Sequence, residues 1–336
     1  MSFDLQLPLE VLEDSHVGQV RRRAQQMAAN AGLSEHEAGQ AAIVATEAAS
    51  NVAKHGTGGE VLLRELSDGV EVIAVDKGRG MADVSQCMTD GYSTVGTAGT
   101  GLGAIRRLSS EFDIYSRPNG GTAMVARLCP DHAKLRATAR TPMKIGIVCR
   151  PKGGESVCGD AWATKHSDGD FWVVVADGLG HGPDAHAAAV EAVRVFRDTS
   201  GHRSTMDLME VIHGALRKTR GAAVAVARIV PKEQQLHFAG VGNIAGTVLQ
   251  KTSWKSMMSH NGILGHEVRR IQEFTNPWTS DSKLVMNSDG LSTWSMDKYP
   301  GVLARDPSLL AAVLYRDYWR KRDDVTVLVA EEKRAA

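Results

Sequence analysis

The stretch FWVVVADGLGHG, residues 171–182, predicts both the local fold and the chemistry of the second half of the chain. Its first six residues are apolar, as expected for a strand that is buried on both faces. Asp177 ends that strand, where a rigid backbone fixes the position of its carboxylate. Gly178 follows, and a glycine beside a carboxylate lets its own carbonyl approach a cation. We therefore expect a strand that delivers a metal ligand into a glycine turn before a helix.

Three further aspartates stand beside apolar runs in the same manner. Asp289 follows KLVMNS, Asp324 precedes VTVLV, and Asp160 follows a glycine. Four carboxylates at strand ends can converge on two divalent cations, and such a pair clamps a phosphate ester and generates hydroxide near neutral pH. Oxygen ligands favour Mg²⁺ or Mn²⁺ over zinc. An isolated Asp-Gly is usually only a turn, so the prediction depends on the ordered set.

The segment from 145 to 329 resembles the metal-dependent Ser/Thr phosphatases of the PPM family, in the SpoIIE and RsbX branch. DGLGHG is the most specific motif, and GVGN at 240–243 and NGILG at 261–265 also fit that branch. The resemblance implies an α-β-β-α sandwich with a catalytic two-metal site. It implies that Asp177 bridges both metals and that the metal ligands are Asp160, Asp177, Gly178, Asp289 and Asp324.

Within the same motif, His181 has two interpretations. Histidine is a common proton donor, so it can act as the general acid that protonates the leaving serine alkoxide. Alternatively, it only shapes the loop at the start of the helix.

Three motifs in the first half together predict a nucleotide site. Glu47 and Asn51 are four residues apart on a helix that Ser34-Glu-His-Glu should cap, so they share a face. Glu47 is suited to activate an attacking hydroxyl, and the amide oxygen of Asn51 can ligate Mg²⁺. Asp76 is suited to accept a hydrogen bond from an adenine amine. A glycine loop that opens a helix favours phosphate binding. The predicted cofactor-binding residues are Asn51, Asp76, Gly78, Gly80, Gly99, Thr100, Gly101 and Gly103.

Residues 10–128 resemble the GHKL (Bergerat-fold) ATP-binding domains, and in particular the small switch kinases and anti-sigma factors of the RsbT and RsbW kind. The resemblance rests on the Glu47–Asn51 pair, the Asp76 turn and the glycine loop, together with DGYST at 90–94 and EFDIYS at 111–116. It implies an α/β sandwich that binds ATP with Mg²⁺. It also implies that Glu47 is catalytic in Ser/Thr phosphorylation.

The polar, basic and proline-bounded stretch PDHAKLRATARTP at 130–142 predicts a linker. We therefore expect an α/β chain with two domains, an ATP-binding domain at 1–129 and a phosphatase domain at 143–336. The formal net charge is zero and no long run of Lys or Arg occurs, which argues against nucleic acid and an anionic membrane surface as partners. There is no long apolar run, no secretory signal pattern and no CxxC spacing among the four cysteines. A cytoplasmic location is the expectation.

The resemblances together predict a bifunctional regulator of partner switching. The phosphatase would remove phosphate from a STAS-type anti-sigma antagonist, and the kinase would phosphorylate the same class of protein. A sigma factor or a switch kinase is a possible additional partner. Two alternatives stay open: the first domain is a non-catalytic anti-sigma or nucleotide-sensing module, or the phosphatase site has decayed. Intact Asp160, Asp177, Asp289 and Asp324 argue against decay.

Overall fold

The structure is a computed structural model that describes residues 6–89, 101–130, 143–201, 204–251 and 253–333. The chain divides into two compact units. The first unit comprises Met1–Thr141 together with Met296–Arg316, and the second comprises Pro142–Ser295 together with Asp317–Ala336. The first unit therefore contains a stretch from the half of the sequence that carries the aspartate motifs.

The first unit is built on one antiparallel sheet with the strand order β1-β2-β3-β5-β4. Its strands are β1 (Gln6–Val11), β2 (Gly59–Leu66), β3 (Gly69–Asp76), β4 (Glu111–Ser116) and β5 (Thr122–Leu128). β3 is buried along its whole length because it lies at the centre of the sheet. Its last residue, Asp76, is thereby held at the end of this central strand, next to the turn that follows.

Helices pack on one face of this sheet. They are α1 (Val17–Asn30), α2 (Glu35–His55), the short α3 (Val84–Cys87) and α4 (Gly101–Leu108). The predicted cap of α2 is confirmed, because the Ser34 hydroxyl accepts from the Glu37 amide while the Glu37 carboxylate accepts from the Ser34 amide at 2.8 Å. α2 turns a row of small side chains towards the sheet, including Ala41, Ala45 and Ala48. Small residues bring the helix close to the strands.

The stretch Met296–Arg316 is joined to the sheet by buried charged groups. It contains most of α7 (Pro307–Tyr318). The guanidinium group of Arg127 donates to Glu71 at 2.8 Å, to Asp306 at 2.8 and 3.0 Å and to Ser308 at 2.7 Å. Although burial raises the pKa of Glu71, the neighbouring Arg64 and Arg127 hold it below its ordinary value. A buried pair of this kind is sensitive to the loss of either partner.

The second unit contains two antiparallel five-stranded sheets. One has the order β13-β10-β9-β8-β7 and the other the order β12-β11-β14-β15-β6. The strands are β6 (Met143–Arg150), β7 (Asp160–Ser167), β8 (Asp170–Gly178), β9 (Ala222–Val230), β10 (Gln235–Val241), β11 (Ala245–Leu249), β12 (Trp254–Met257), β13 (Glu273–Pro277), β14 (Lys283–Asn287) and β15 (Val325–Glu332). Side chains from both sheets, among them Val173, Phe238 and Leu328, form one apolar core.

Helices α5 (Pro183–Asp198) and α6 (Thr205–Leu216) pack on the first of these sheets. The expected class, an α/β chain of two domains in which sheets are packed against helices, is confirmed. No helix among the described residues is long and apolar enough to cross a membrane.

Candidate functional sites

The four aspartates of the second half lie at strand ends, as predicted. Asp160 begins β7 and Asp177 lies near the end of β8, and the two residues are direct cross-strand partners. Asp324 immediately precedes β15, and Asp289 follows the last residue of the neighbouring strand β14 by two positions. Each of the two sheets thus contributes two carboxylates.

Hydrogen bonds connect these carboxylates across the two sheets. The hydroxyl of Ser288 donates to Asp160 Oδ2 at 2.7 Å and accepts from the Thr326 amide at 2.9 Å. It therefore ties an aspartate of one sheet to the backbone of the other. Asn243 Nδ2 donates to Asp289 Oδ2 at 2.6 Å.

The carboxylates interact strongly with one another. Burial, followed by repulsion from Asp160, Asp289 and other aspartates, raises the pKa of Asp177 to about 9. Burial raises the pKa of Asp160 to about 7, with a further contribution from Asp324. Burial also raises the pKa of Asp324. Groups that are hard to ionise in the absence of a counterion are suited to binding cations.

Two carboxylate oxygens are buried without a hydrogen-bond partner, Asp160 Oδ1 and Asp324 Oδ2. Buried acceptors are normally satisfied, and a divalent cation would satisfy both. Within the described part of the chain, no three His, Cys, Asp or Glu side chains are arranged to hold a single ion. The two orphaned carboxylate oxygens are the observation in this structure that fits a cation at the aspartate cluster.

Gly159, which precedes the first aspartate, has a steric role. A Cβ atom at this position would lie 2.6 Å from Asp324 Oδ2. Its carbonyl accepts from the Gly178 amide at 3.0 Å. The glycine thus lets the Asp324 carboxylate approach the backbone between Asp160 and the segment that contains Gly178.

His181 forms a pair with a carboxylate that the sequence did not single out. Its Nδ1 lies 2.7 Å from Glu155 Oε1, and about half of the histidine side chain is exposed. When Nδ1 donates this bond, Nε2 is left for another partner. This arrangement is compatible with a proton donor.

In the first unit, the structure brings the predicted catalytic residue Glu47 together with two of the predicted cofactor-binding residues, Asn51 and Gly101. A Cβ atom on Gly101, the first residue of α4, would lie 2.7 Å from Glu47 Oε2 and 3.8 Å from Asn51 Oδ1. The start of α4 therefore lies directly against the Glu47–Asn51 face of α2, and a side chain at position 101 would displace the Glu47 carboxylate. Asn51 Nδ2 is buried without a hydrogen-bond partner.

Asp76 is buried at the end of β3, and its Oδ1 accepts from the Gly78 amide at 2.7 Å. Burial raises the pKa of its carboxyl group, although the hydrogen bond from the Gly78 amide acts to lower it. Gly80 lies in the following turn, where its φ is +63°, and Gly103 is buried within α4. The predicted Gly99 and Thr100 lie outside the described residues.

Sequence reasoning missed four residues of the second site, Ser288, Asn243, Lys152 and Glu155. The Lys152 amide donates to Asp324 Oδ1 at 2.9 Å. Two of the four could have been found from the sequence, because Ser288 ends the run KLVMNS before Asp289 and Asn243 ends the motif GVGN. Lys152 and Glu155 could not, since one acts through its backbone and the other lies 26 residues from its partner.

Comparisons with known proteins match the two halves of the sequence to two different families. Residues 11–128 match the histidine kinase-like ATPase domain family, and residues 167–333 match the Stage II sporulation protein E (SpoIIE) family. Phosphoserine phosphatase RsbX of Bacillus subtilis (strain 168) is 27% identical over 143 residues, which are 42% of this chain and 71% of that protein.

Serine/threonine-protein kinase RsbT of the same organism is 34% identical over 85 residues, which are 24% of this chain and 64% of the kinase. A solved structure from work on the bacterial stressosome, described as "a modular system that has been adapted to control secondary messenger signaling", matches with a TM-score of 0.53 at 29% identity. That match covers 57% of this chain and all of the other chain.

We expect the metal-free chain to lose stability as the pH rises from 5 to 9. The folded-state pKa values of Asp160 and Asp177, about 7 and about 9, exceed the unfolded value of about 3.9. The folded state therefore holds more protons than the unfolded state in this window, and the free energy of unfolding falls as the pH rises towards each folded pKa. Thermal unfolding in EDTA at several pH values measures the slope.

Asp177→Asn should flatten that slope, because it removes one of the two titrating groups. Saturating Mn²⁺, at about 100 times its dissociation constant, should stabilise the parent by about 2.7 kcal/mol. An unchanged slope in Asp177→Asn would show that repulsion among these carboxylates does not control the pH dependence.

Proposed function

Because the chain joins a histidine kinase-like ATPase domain to a SpoIIE-type phosphatase domain of the PPM family, we propose that it is a bifunctional regulator of partner switching. The second domain is a metal-dependent protein serine/threonine phosphatase. Its substrate, in this proposal, is a phosphorylated STAS-type anti-sigma antagonist, and the first domain phosphorylates the same class of protein with ATP. The observation that carries the proposal is the convergence of four strand-end aspartates, of which Asp160, Asp177 and Asp324 have raised pKa values.

The phosphatase site would hold two Mg²⁺ or Mn²⁺ ions, on which PPM-type phosphatases depend. The proposed ligands are Asp160, Asp177, Gly178, Asp289 and Asp324. When bound, such ions supply Lewis-acid activation of the phosphoryl group and a hydroxide nucleophile. The protein's own part is to hold the carboxylates in place, through Ser288 on Asp160 and Asn243 on Asp289.

His181 would supply the proton that the leaving alkoxide needs. Glu155 fixes the imidazole through Nδ1 at 2.7 Å, so Nε2 is the nitrogen that can face the substrate. A serine or threonine alkoxide is a poor leaving group, and general acid catalysis typically contributes about 10²–10⁴-fold to rate.

In the first domain, Glu47 would act as the base for the attacking hydroxyl and Asn51 as the Mg²⁺ ligand for ATP. Their contact with the start of α4 at Gly101 supports this assignment, because helix N-termini favour phosphate. Asp76 would accept from the adenine amine, with Gly78 and Gly80 forming the turn beside it. Gly99, Thr100 and Gly103 would complete the glycine loop.

The partner assignment draws on the relatives. The two matched curated proteins are a phosphoserine phosphatase and a serine/threonine kinase, and the matched structure comes from work on the stressosome. A kinase and a phosphatase on one chain can act on the same phosphorylation site, and this motivates the proposed common STAS-type substrate. A cytoplasmic location follows from such a partner, and a sigma factor or switch kinase is a further candidate partner.

A second candidate for the first domain is a nucleotide-sensing or anti-sigma binding module that regulates the phosphatase. It is favoured by the resemblance of residues 10–128 to anti-sigma factors of the RsbW kind as well as to switch kinases. ATP binding without phosphoryl transfer would distinguish this module from a kinase.

Asp177→Asn in the full chain should lower Mn²⁺-dependent release of phosphate from a phosphorylated STAS protein by about 10³-fold or more, because a proposed metal ligand would be lost. Release of inorganic phosphate measures the rate. Asp198→Asn is the matched control, since Asp198 is an exposed residue that pairs with Arg194 on α5, and its rate should stay at the parental level. Full activity in Asp177→Asn would refute the metal assignment.

Kinase activity is best measured in the Asp177→Asn chain, where the phosphorylated product is not hydrolysed. We expect transfer of label from γ-labelled ATP to the STAS protein, and a decrease of about 10²-fold or more when Glu47→Gln removes the base. Glu35→Gln, an exposed change on the same helix, should leave transfer unchanged. If the Asp177→Asn chain binds ATP but transfers nothing, the binding-module alternative is correct.

His181→Asn should lower kcat towards a phosphoserine peptide by about 10²-fold, because the alkoxide then leaves without a proton. The same variant should hydrolyse p-nitrophenyl phosphate almost normally, since the phenolate leaves without protonation. Steady-state kinetics on the two substrates gives the ratio. An equal decrease on both substrates would indicate that His181 only shapes the loop.

A further inference from the structure

Arg220 lies beside the glycine loop of the phosphatase site and is held there by its backbone. The Leu179 amide, one residue beyond the proposed ligand Gly178, donates to the Gly221 carbonyl at 3.0 Å. His266 Nε2 lies 2.9 Å from the Arg220 carbonyl oxygen. The backbone around Arg220 is therefore fastened on one side to the loop that follows Asp177.

The guanidinium group of Arg220 contacts the same loop. Its Nη1 lies 3.5 Å from the position that a Cβ atom on Gly180 would occupy. Its Nη2 lies 2.6 Å from Asp184 Oδ2, and the two side chains are 53% and 67% exposed. An ion pair that is so exposed adds little to stability. Its effect is to orient the guanidinium group, leaving the Nη1 edge available beside Gly180.

This arrangement suits a phosphate monoester. A guanidinium group presents several N–H donors in one plane and binds phosphate oxygens in a bidentate manner. Asp184 occupies one of these donors, and others remain. Ionised carboxylates only accept hydrogen bonds, so a cationic donor at the rim supplies the donors to a phosphoryl oxygen that the aspartates lack.

We propose that Arg220 binds the phosphoryl group of the substrate, a phosphoserine or phosphothreonine ester, at the rim of the two-metal site. This inference rests on the proposed phosphatase function of that site. Arg220 is therefore a substrate-binding residue that acts alongside the metal ligands, while Asp184 positions it.

The test uses the full chain with Mn²⁺ and measures three quantities. They are KM and kcat for p-nitrophenyl phosphate, the inhibition constant of inorganic phosphate, and the Mn²⁺ concentration for half-maximal activity. Arg220→Ala should raise KM and the phosphate inhibition constant together by about tenfold, because both ligands carry the group that Arg220 binds. The Mn²⁺ requirement should stay within about twofold, since Arg220 is not a metal ligand. Arg220→Lys, which keeps the charge but not the planar fork, should give an intermediate effect.

Arg217→Ala is the control for overall charge, because it removes the same charge from an exposed position three residues earlier, and it should have no effect. Asp184→Asn removes the partner that orients the guanidinium group. It should weaken phosphate inhibition less than Arg220→Ala does, because the N–H donors of Arg220 remain. If Arg217→Ala reproduces the effect of Arg220→Ala, the effect reports overall charge, and the proposal is wrong.

A second result would also overturn the proposal. If Arg220→Ala raises KM only for a phosphorylated protein and leaves phosphate inhibition unchanged, Arg220 contacts the protein part of the substrate. Absence of Mn²⁺-dependent hydrolysis in the parent chain would differ from both results, because it would reject the two-metal site itself and the assignment of Arg220 with it.

Discussion

Repulsion among buried carboxylates is the constraint on which the phosphatase half of this chain depends. Folding brings Asp160 and Asp177 opposite each other on adjacent strands and aligns them with Asp289 and Asp324 from the other sheet. The raised pKa values of Asp160 and Asp177 measure the electrostatic cost of that arrangement without a cation. A pair of hydrophobic sheets that needed only stability would not concentrate acids at one end. Bound cations would neutralise the carboxylates, and their binding would then also stabilise the folded state.

The local hydrogen bonds follow from the same constraint. Each carboxylate must be held while leaving oxygen atoms available. Ser288 and Asn243 satisfy one oxygen of Asp160 and one of Asp289, whereas Asp160 Oδ1 and Asp324 Oδ2 have no protein partner. Glycine at 159 lets the Asp324 carboxylate approach the backbone. Ser288, Asn243 and Gly159 therefore hold the carboxylates in place and leave some of their oxygen atoms available to a ligand.

Sequence patterns predicted the features that depend on nearby residues. The Ser34 cap, the apolar strand before Asp177 and the strand-end position of all four aspartates depend on short-range preferences and strand burial, and each was found where it was expected. Contacts between distant residues were beyond such patterns. The Glu155–His181 pair forms across 26 residues, and nothing in the local sequence of Glu155 distinguishes it from any other loop carboxylate.

The assignment of Met296–Arg316 to the first unit also lay beyond local patterns, because it depends on partners far away in the chain. Arg127 is bonded to Asp306 and Ser308, 179 and 181 residues away, and Tyr315 donates to Glu60 at 2.8 Å. A run such as PSLLAAVLYRDY predicts a buried helix but not the sheet against which it packs.

The packing of Met296–Arg316 against the first sheet affects how the two proposed activities can be tested separately. A fragment that ends at residue 129 lacks Asp306 and Ser308, so Arg127 would lose two of its partners and the remaining groups would be exposed to water. Loss of one partner from a buried charged group typically costs about 3–5 kcal/mol, which is a large share of the stability of a typical domain. If such a fragment were inactive, the cause could be misfolding of the fragment or the absence of kinase activity in the domain, and the experiment would not distinguish them. Point substitutions in the full chain avoid this ambiguity, because Glu47→Gln and Asp177→Asn each target one proposed activity and lie outside the buried network around Glu71 and Arg127.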